Sequence, residues 1–102
     1  MPKNLHISEL LDVYGAFLNE KQRLLTEYYY NDDLSLAEIA ENEGITRQGV
    51  RDLIKRAGQQ LMSLEESCGY CGRFALLKEL AGKARAGDAA AAAQILDIID
   101  EL

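Results

Sequence analysis

The 102-residue sequence is poor in aromatic residues, proline and histidine, and each shortage excludes a class of protein. Phe, Tyr and Trp make up 7% of the chain, with no Trp, which argues against a pocket for a large aromatic ligand. One Pro and eight Gly argue against a loop-rich or disordered chain. The sequence has one His and no Ser-His-acid set, HExxH motif or phosphate-cradling glycine loop. It therefore predicts no enzyme, no small-molecule substrate and no cofactor.

Long apolar runs are also missing. One of the two longest uncharged runs, Ala89 to Leu96, is mostly Ala, and both are far shorter than the roughly 20 residues that a membrane helix needs. Met1 to His6 do not combine a charged start with an apolar run, as a signal peptide does. We therefore expect a cytoplasmic protein without membrane insertion, in which both cysteines stay reduced.

Basic charge is scarce overall, since 11 Lys and Arg face 17 Asp and Glu, for a net charge of −6. This balance excludes a generally basic nucleic-acid coat protein and gives no attraction to an anionic membrane. The deficit is uneven, because residues 46 to 57 hold four basic side chains and one acidic one, a local +3 that leaves −9 elsewhere. One positive face on an acidic body suits docking on phosphate by a single surface.

Apolar residues recur at helical spacing through almost the whole chain, and no strand-like alternation of useful length occurs. The pattern predicts an all-α fold of about six helices. Asn19 and Ser35 are expected to cap helices. Apolar stripes run from Ile7 to Leu18, with Phe17 among them, and from Ile95 to Leu102. Because one thin domain would struggle to cover both stripes, the sequence predicts a homodimer.

Residues 35 to 55, SLAEIAENEGITRQGVRDLIK, match the pattern of a helix-turn-helix. Ala40 is small enough for the second helix to approach, and Gly44 can adopt the left-handed backbone that the turn needs. Thr46 is expected to cap the second helix, with Val50 and Leu53 on its inner face. Such units mostly bind DNA, although some serve only as packing or partner scaffolds.

The second helix of this motif carries the candidate nucleic-acid contacts. Residues near its start should reach base edges first, where Arg47 suits guanine and Gln48 suits adenine. Thr46 can offer its hydroxyl to a phosphate, Arg51 suits either role, and Lys55 suits the backbone. The complete set of candidate contacts is Thr46, Arg47, Gln48, Arg51, Lys55 and Arg56.

Two features of this helix have a second interpretation. The basic face can be a solvated face that balances nearby acids such as Glu41 and Glu43. Gly49 costs about 1 kcal/mol relative to Ala in a helix interior. It either allows close approach of nucleic acid or is a change that packing tolerates, and the second explanation is slightly favoured.

A second region begins near Ser67, because Ser67 to Gly72 holds two glycines and both cysteines and so predicts a break or loop. We therefore expect a helix-turn-helix domain over residues 1 to 66 and a C-terminal helical extension over residues 67 to 102, an interaction or dimerisation element. Cys68 and Cys71 form a lone C-x-x-C without the preceding strand of a redox motif or the further ligands of a zinc site. A packing role is favoured, and zinc shared across a dimer is the alternative.

Residues 18 to 64 resemble region 4 of sigma factors, which reads the −35 promoter element. With NLHISELLDVYGAFLNEKQR, YYYNDDLSLAEIA and ITRQGVRDLIKRA, the chain more closely resembles the small YlxM-type proteins of Gram-positive bacteria, over about residues 4 to 80. The resemblance implies a sigma-region-4-like domain with extra helices, usually as a homodimer, and a link to the signal recognition particle pathway. It carries over the nucleic-acid contacts Thr46, Arg47, Gln48, Arg51 and Lys55.

The chain departs from that family at SCGYCGRF, where a Leu- and Glu-rich stretch is usual, and in its Ala-rich tail, Ala84 to Leu102. It has no counterpart of the sigma region that melts promoters, so initiation by this chain alone is excluded.

Two functions follow from the sequence. The first is a dimeric nucleic-acid-binding regulator that docks the helix from Thr46 onto DNA, or onto RNA such as that of the signal recognition particle. The second is an adaptor that regulates the particle's GTPase or RNA polymerase through acidic and apolar contacts, because the −9 outside the basic helix repels nucleic acid.

Overall fold

A computed structural model describes Met1 and residues 3 to 102, and all of the regular structure in them is helical. These residues form α1 (Leu5–Tyr14), a 3-10 helix (Gly15–Phe17), α2 (Glu20–Tyr30), α3 (Leu36–Glu43), α4 (Arg47–Cys68), α5 (Tyr70–Arg85) and α6 (Ala89–Glu101). The predicted all-α fold with six α-helices is confirmed. Within the described part of the chain, none of the helices combines the length and apolarity needed to cross a bilayer.

Side-chain caps begin α2 and α3 at the residues that the sequence predicts. Asn19 accepts a hydrogen bond from the Gln22 backbone N–H at 2.8 Å, and the Gln22 side chain accepts from the Asn19 N–H at 3.2 Å. Ser35 and Glu38 form the same reciprocal pair, at 3.0 and 3.2 Å. Each pair satisfies two backbone donors that a helix start leaves open. The second pair therefore fixes where the helix-turn-helix begins.

The first compact unit, Met1–Cys68, is built by packing α1, α2 and α3 against the long helix α4. Small and branched side chains fill the space between α2, α3 and α4, and Leu53 lies half-buried at the edge of this cluster. Its buried members are Leu25, Tyr29, Ile39, Ala40, Val50 and Ile54. This cluster holds the two helices of the helix-turn-helix together.

The apolar stripe of α1 is buried inside the first unit, which corrects the expectation that it needs a partner copy. Its buried residues are Ile7, Leu10, Leu11, Tyr14 and Leu18. Packing of α1 on α4 already covers them. Phe17 is a second correction, because the chain tightens into a 3-10 helix after Tyr14 and Phe17 is 67% exposed.

The second compact unit, Gly69–Leu102, consists of α5 and α6, which pack against each other. Gly69, with φ of 68°, is the one residue between α4 and α5, so the break expected within residues 67 to 72 is confined to it. Asp88 caps α6, accepting from the Ala91 N–H at 3.0 Å. The functional division at residue 66 stays a prediction, because compactness alone assigns no role to either part.

Candidate nucleic-acid interface

The turn of the helix-turn-helix depends on Gly44. Its φ of 67° and ψ of 31° are left-handed, and its N–H donates to the carbonyl oxygen of Ala40. The Ile45 N–H donates to the same oxygen at 3.2 Å, which closes the end of α3. A Cβ added at Gly44 would meet nothing within 4 Å, so the need for glycine here is purely conformational.

Thr46 caps α4, because its hydroxyl oxygen accepts from the Gly49 N–H at 3.0 Å. The hydroxyl keeps its own proton for donation, and Thr46 is exposed, so a phosphate can be its acceptor. A Cβ on Gly49 would lie 3.2 Å from this same oxygen, which is crowded. The structure thus gives Gly49 a local role that the sequence did not indicate: it leaves room for the cap.

The polar side chains at the start of α4 face away from the core. Val50 and Ile54 are buried on the inner side of the helix. The predicted contacts on the outer side are all exposed: Thr46, Arg47, Gln48, Arg51, Lys55 and Arg56. The structure therefore presents all six to solvent.

The basic side chains of this segment form no ion pair with any acid in the described residues. Ion pairs in that part of the chain include those of Lys3 with Asp33, His6 with Glu9 and Lys83 with Glu79, and none of these three involves a basic side chain of residues 46 to 57. The interpretation that Glu41 and Glu43 balance the basic face therefore has no ion pair to support it. The positive charge of α4 stays directed at solvent.

Gln48 is engaged by a neighbour on its own helix. Its side-chain nitrogen donates to the Asp52 carboxylate at 2.9 Å, one helical turn further on. The one acid among residues 46 to 57 is thus bound by a neutral amide and not by one of the four cations. The amide predicted for adenine is, in turn, already bonded in the unliganded protein.

The predicted contacts border separate grooves. Arg51 and Lys55 border one of about 530 Å³, together with Gln48 and Asp52. Arg47 borders another of about 500 Å³, beside Ser35 in the capping turn of α3. The structure therefore brings Gln48, Arg51 and Lys55 together and places Arg47 toward α3.

Arg56 lies apart from the other predicted contacts. It borders a groove of about 400 Å³ that also includes Lys21 in the first turn of α2, and both side chains are exposed. Lys21 is a basic residue that sequence reasoning missed. It precedes Arg56 by 35 positions, and no local pattern links two residues so far apart.

The cysteines lie on either side of Gly69, with Cys68 half-buried and Cys71 buried. Among the residues that the structure describes, no three or more His, Cys, Asp or Glu side chains are grouped so as to hold a metal ion.

Comparison with known proteins gives one family. Residues 1–99 match the family model UPF0122, described as "Putative helix-turn-helix protein, YlxM / p13 like". A UPF0122 protein of Clostridium botulinum is 52% identical over 65 residues, covering 64% of this chain and 60% of the relative. Another, of Desulforamulus reducens, is 48% identical over 73 residues, or 71% and 62% of the two chains. The matched segment thus spans about 60% of the length of these curated relatives.

Proposed function

This chain belongs to the UPF0122 family of YlxM/p13-like helix-turn-helix proteins, and from that premise we propose that it is a non-enzymatic regulator that docks α4 on DNA. One observation carries the proposal. The four cations at the start of α4 are exposed and form no ion pair among the described residues. Three of them, Arg47, Arg51 and Lys55, share one helix face, and exposed cations of this kind supply the donors that a phosphate backbone accepts from.

The residues divide by their position on α4. Arg47 and Gln48 occupy its first turn, from which a recognition helix reaches base edges, so they are the proposed base contacts. Arg51 and Lys55 follow at four-residue intervals on the same side. Arg51 is proposed to contact either a base edge or the backbone, and Lys55 is proposed to contact the backbone. Thr46 is the proposed phosphate donor at the helix start.

The acidic remainder of the chain limits binding to that face. With −9 outside residues 46 to 57, other surfaces repel a nucleic acid, and affinity depends on a few short-range contacts. We therefore expect weak binding to non-specific sequence and a steep loss of affinity as salt rises.

A fluorescence-anisotropy titration tests the proposal. The probe is a DNA duplex enriched from a random-sequence library by the wild-type protein, and the test variant is Arg47→Ala with Arg51→Ala. We expect affinity to fall at least tenfold, since a good bidentate base contact contributes about 1–3 kcal/mol of discrimination.

The matched control is Lys78→Ala with Arg85→Ala, which removes the same charge from exposed positions on α5. It should leave affinity near that of the wild type. Equal losses of affinity in the two double variants would mean that only net charge matters. Unchanged affinity in the Arg47→Ala, Arg51→Ala variant would show that this face of α4 does not bind DNA. Repeating the titration with an RNA duplex of the same sequence decides between DNA and RNA.

A second candidate function is a protein-interaction adaptor, and the second unit carries the observation that favours it. Its large apolar side chains that are 41% to 63% exposed are Tyr70, Phe74, Leu76, Leu96, Ile99 and Leu102. Exposed apolar clusters of this kind mark sites of protein contact. The family resemblance implies a link to the signal recognition particle, so its GTPase is one proposed partner of the adaptor, and RNA polymerase is the other.

Two measurements test this candidate. Affinity capture from lysate with and without nuclease separates protein partners from nucleic-acid-bridged ones, and loss of every partner on nuclease treatment would rule the adaptor out. Light scattering of the wild type and of Leu96→Glu tests the homodimer, which now depends on the α6 stripe alone. A monomer mass for the wild type at micromolar concentration would refute the dimer.

A further inference from the structure

A second basic site lies on the flank of α4 away from Arg47. Lys21 on α2 and Arg56 on α4 border one groove, whose other lining residues include Gln22 and Gly49. Arg56 follows Arg47 by nine positions, which at 3.6 residues per turn places it about 180° around the helix. Cations are thus present on both flanks of α4, and the second flank draws one of them from a different helix.

The groove has a net positive lining that the described part of the protein does not neutralise. Lys21 and Arg56 are exposed and form no ion pair with any residue that the structure describes. Asp52 is the one acid that borders the groove, and its carboxylate accepts the Gln48 amide. Gly49 contributes no side chain to the lining.

We propose that Lys21 and Arg56 together bind one backbone phosphate of duplex DNA, on the opposite flank of α4 from Arg47. The proposal rests on the function proposed above. It goes further by assigning a role to Lys21 and by giving Arg56 a phosphate on the other strand from the one nearest Arg47.

The dimensions of the duplex support this assignment. The major groove is about 12 Å wide, and a helix with its side chains is about 10–12 Å across, so a seated helix has one phosphate backbone on each side. Cations on one flank alone would hold one strand. With Arg47 at the base edges on one flank, the Lys21–Arg56 pair on the other flank adds a hold on the backbone strand that lies there.

The chemistry of the pair favours phosphate over a base edge. Lys21 lies on α2, whereas α4 is the helix proposed to enter the DNA major groove. The ammonium group of Lys21 is therefore placed for the DNA backbone and not for a base edge. A guanidinium presents a planar fork of donors and an ammonium a compact charge, and both bind phosphate oxygens strongly. Such a contact carries no sequence information but fixes the orientation of α4 on the duplex.

The experiment measures how the binding constant depends on salt for a labelled random-sequence DNA duplex. Lys21→Gln, Arg56→Gln and the double variant are compared with the wild type across a series of NaCl concentrations. The slope of log K against log salt is about −0.9 for each phosphate neutralised. We expect the double variant to lose about 0.9 of slope, not twice that, because the two residues share one phosphate.

Sequence preference is the second measurement. The double variant should weaken binding to the enriched and the random duplex by the same factor, whereas Arg47→Ala with Arg51→Ala should weaken the enriched duplex more. The conservative pair Lys21→Arg and Arg56→Lys should keep the wild-type slope. Arg23→Gln, on the same helix as Lys21 and also exposed, is the matched control and should leave the slope unchanged.

Each outcome is decisive. If the wild type binds DNA and the Lys21→Gln, Arg56→Gln variant keeps the wild-type slope, the proposed phosphate contact of Lys21 and Arg56 is wrong, while the proposed function stands. If Arg23→Gln loses as much slope, the effect is general charge and the groove proposal is again wrong. A slope change seen only with an RNA duplex overturns the commitment to DNA. A wild type that binds neither duplex overturns both proposals.

Discussion

Gly44 and Gly58 offer a test of the reason for glycine in the turn, because the same substitution should have opposite effects at the two positions. At Gly44 an added Cβ meets nothing within 4 Å, so Gly44→Ala introduces no clash with a neighbouring group. The backbone, however, has a φ of 67°. A left-handed conformation costs an L-residue about 1–2 kcal/mol, and that is the expected loss of stability.

Gly58 lies in the interior of α4, in the same compact unit as Gly44. An added Cβ there would lie 3.5 Å from Cδ1 of Ile7, which is ordinary van der Waals contact. Replacing a helix-interior Gly by Ala gains about 1 kcal/mol of helix propensity. The two Ala variants should therefore differ in the free energy of unfolding by about 2–3 kcal/mol, with opposite signs relative to the wild type.

Urea unfolding followed by circular dichroism measures both variants, with an unchanged m-value as the check that only stability has changed. Gly44→Asn should recover part of the loss, because Asn enters the left-handed region more readily than Ala. A neutral Gly44→Ala variant, or a Gly58→Ala variant that is destabilised as much as Gly44→Ala, would refute the conformational explanation of the turn.

Three further predictions follow from hydrogen bonds of the first unit. The buried Tyr14 hydroxyl donates to the Glu65 carboxylate at 2.6 Å, so Tyr14→Phe should cost about 1–2 kcal/mol in urea unfolding, and a neutral result would deny the bond a role in stability. Ser35→Ala removes a capping box and should cost about 1 kcal/mol in the same assay; Ser35→Gly should cost less, and equal costs would contradict the capping explanation. The hydrogen bond from Lys3 at 2.6 Å lowers the pKa of Asp33. The ion pair therefore stabilises the fold at pH values above the ordinary Asp pKa, and this stabilisation is lost as the pH falls through the lowered pKa of Asp33. Lys3→Ala should raise the pKa of Asp33 toward its ordinary value in an NMR titration of the carboxyl group, and an unchanged pKa would exclude the pair.

The helix starts and the turn were predictable because their determinants are local. Asn19, Ser35 and Thr46 each bond to a backbone N–H three residues further on, and such a pair can be read from four consecutive letters. Gly44 is equally local, since its role depends on its own φ and on one carbonyl four residues earlier.

The coverage of apolar faces was not predictable, because periodicity shows that a face is apolar without showing what packs on it. The stripe of α1 implied a partner copy, and α4 of the same chain covers it instead. Phe17 fits the helical period of α1, but the helix ends at Tyr14 and the continuing period no longer applies. The pairing of Lys21 with Arg56 was hidden for the same reason, because only the packing of α2 on α4 brings them to one groove.

The bond between Gln48 and Asp52 has a consequence for the base contact proposed for α4. The Gln48 amide nitrogen has a second hydrogen and its oxygen is an acceptor, so Gln48 could meet a base while it keeps its bond to Asp52. In the proposed complex the Asp52 carboxylate would hold the Gln48 amide in one orientation, so sequence preference at this position would depend on an acid one helical turn away as well as on the amide.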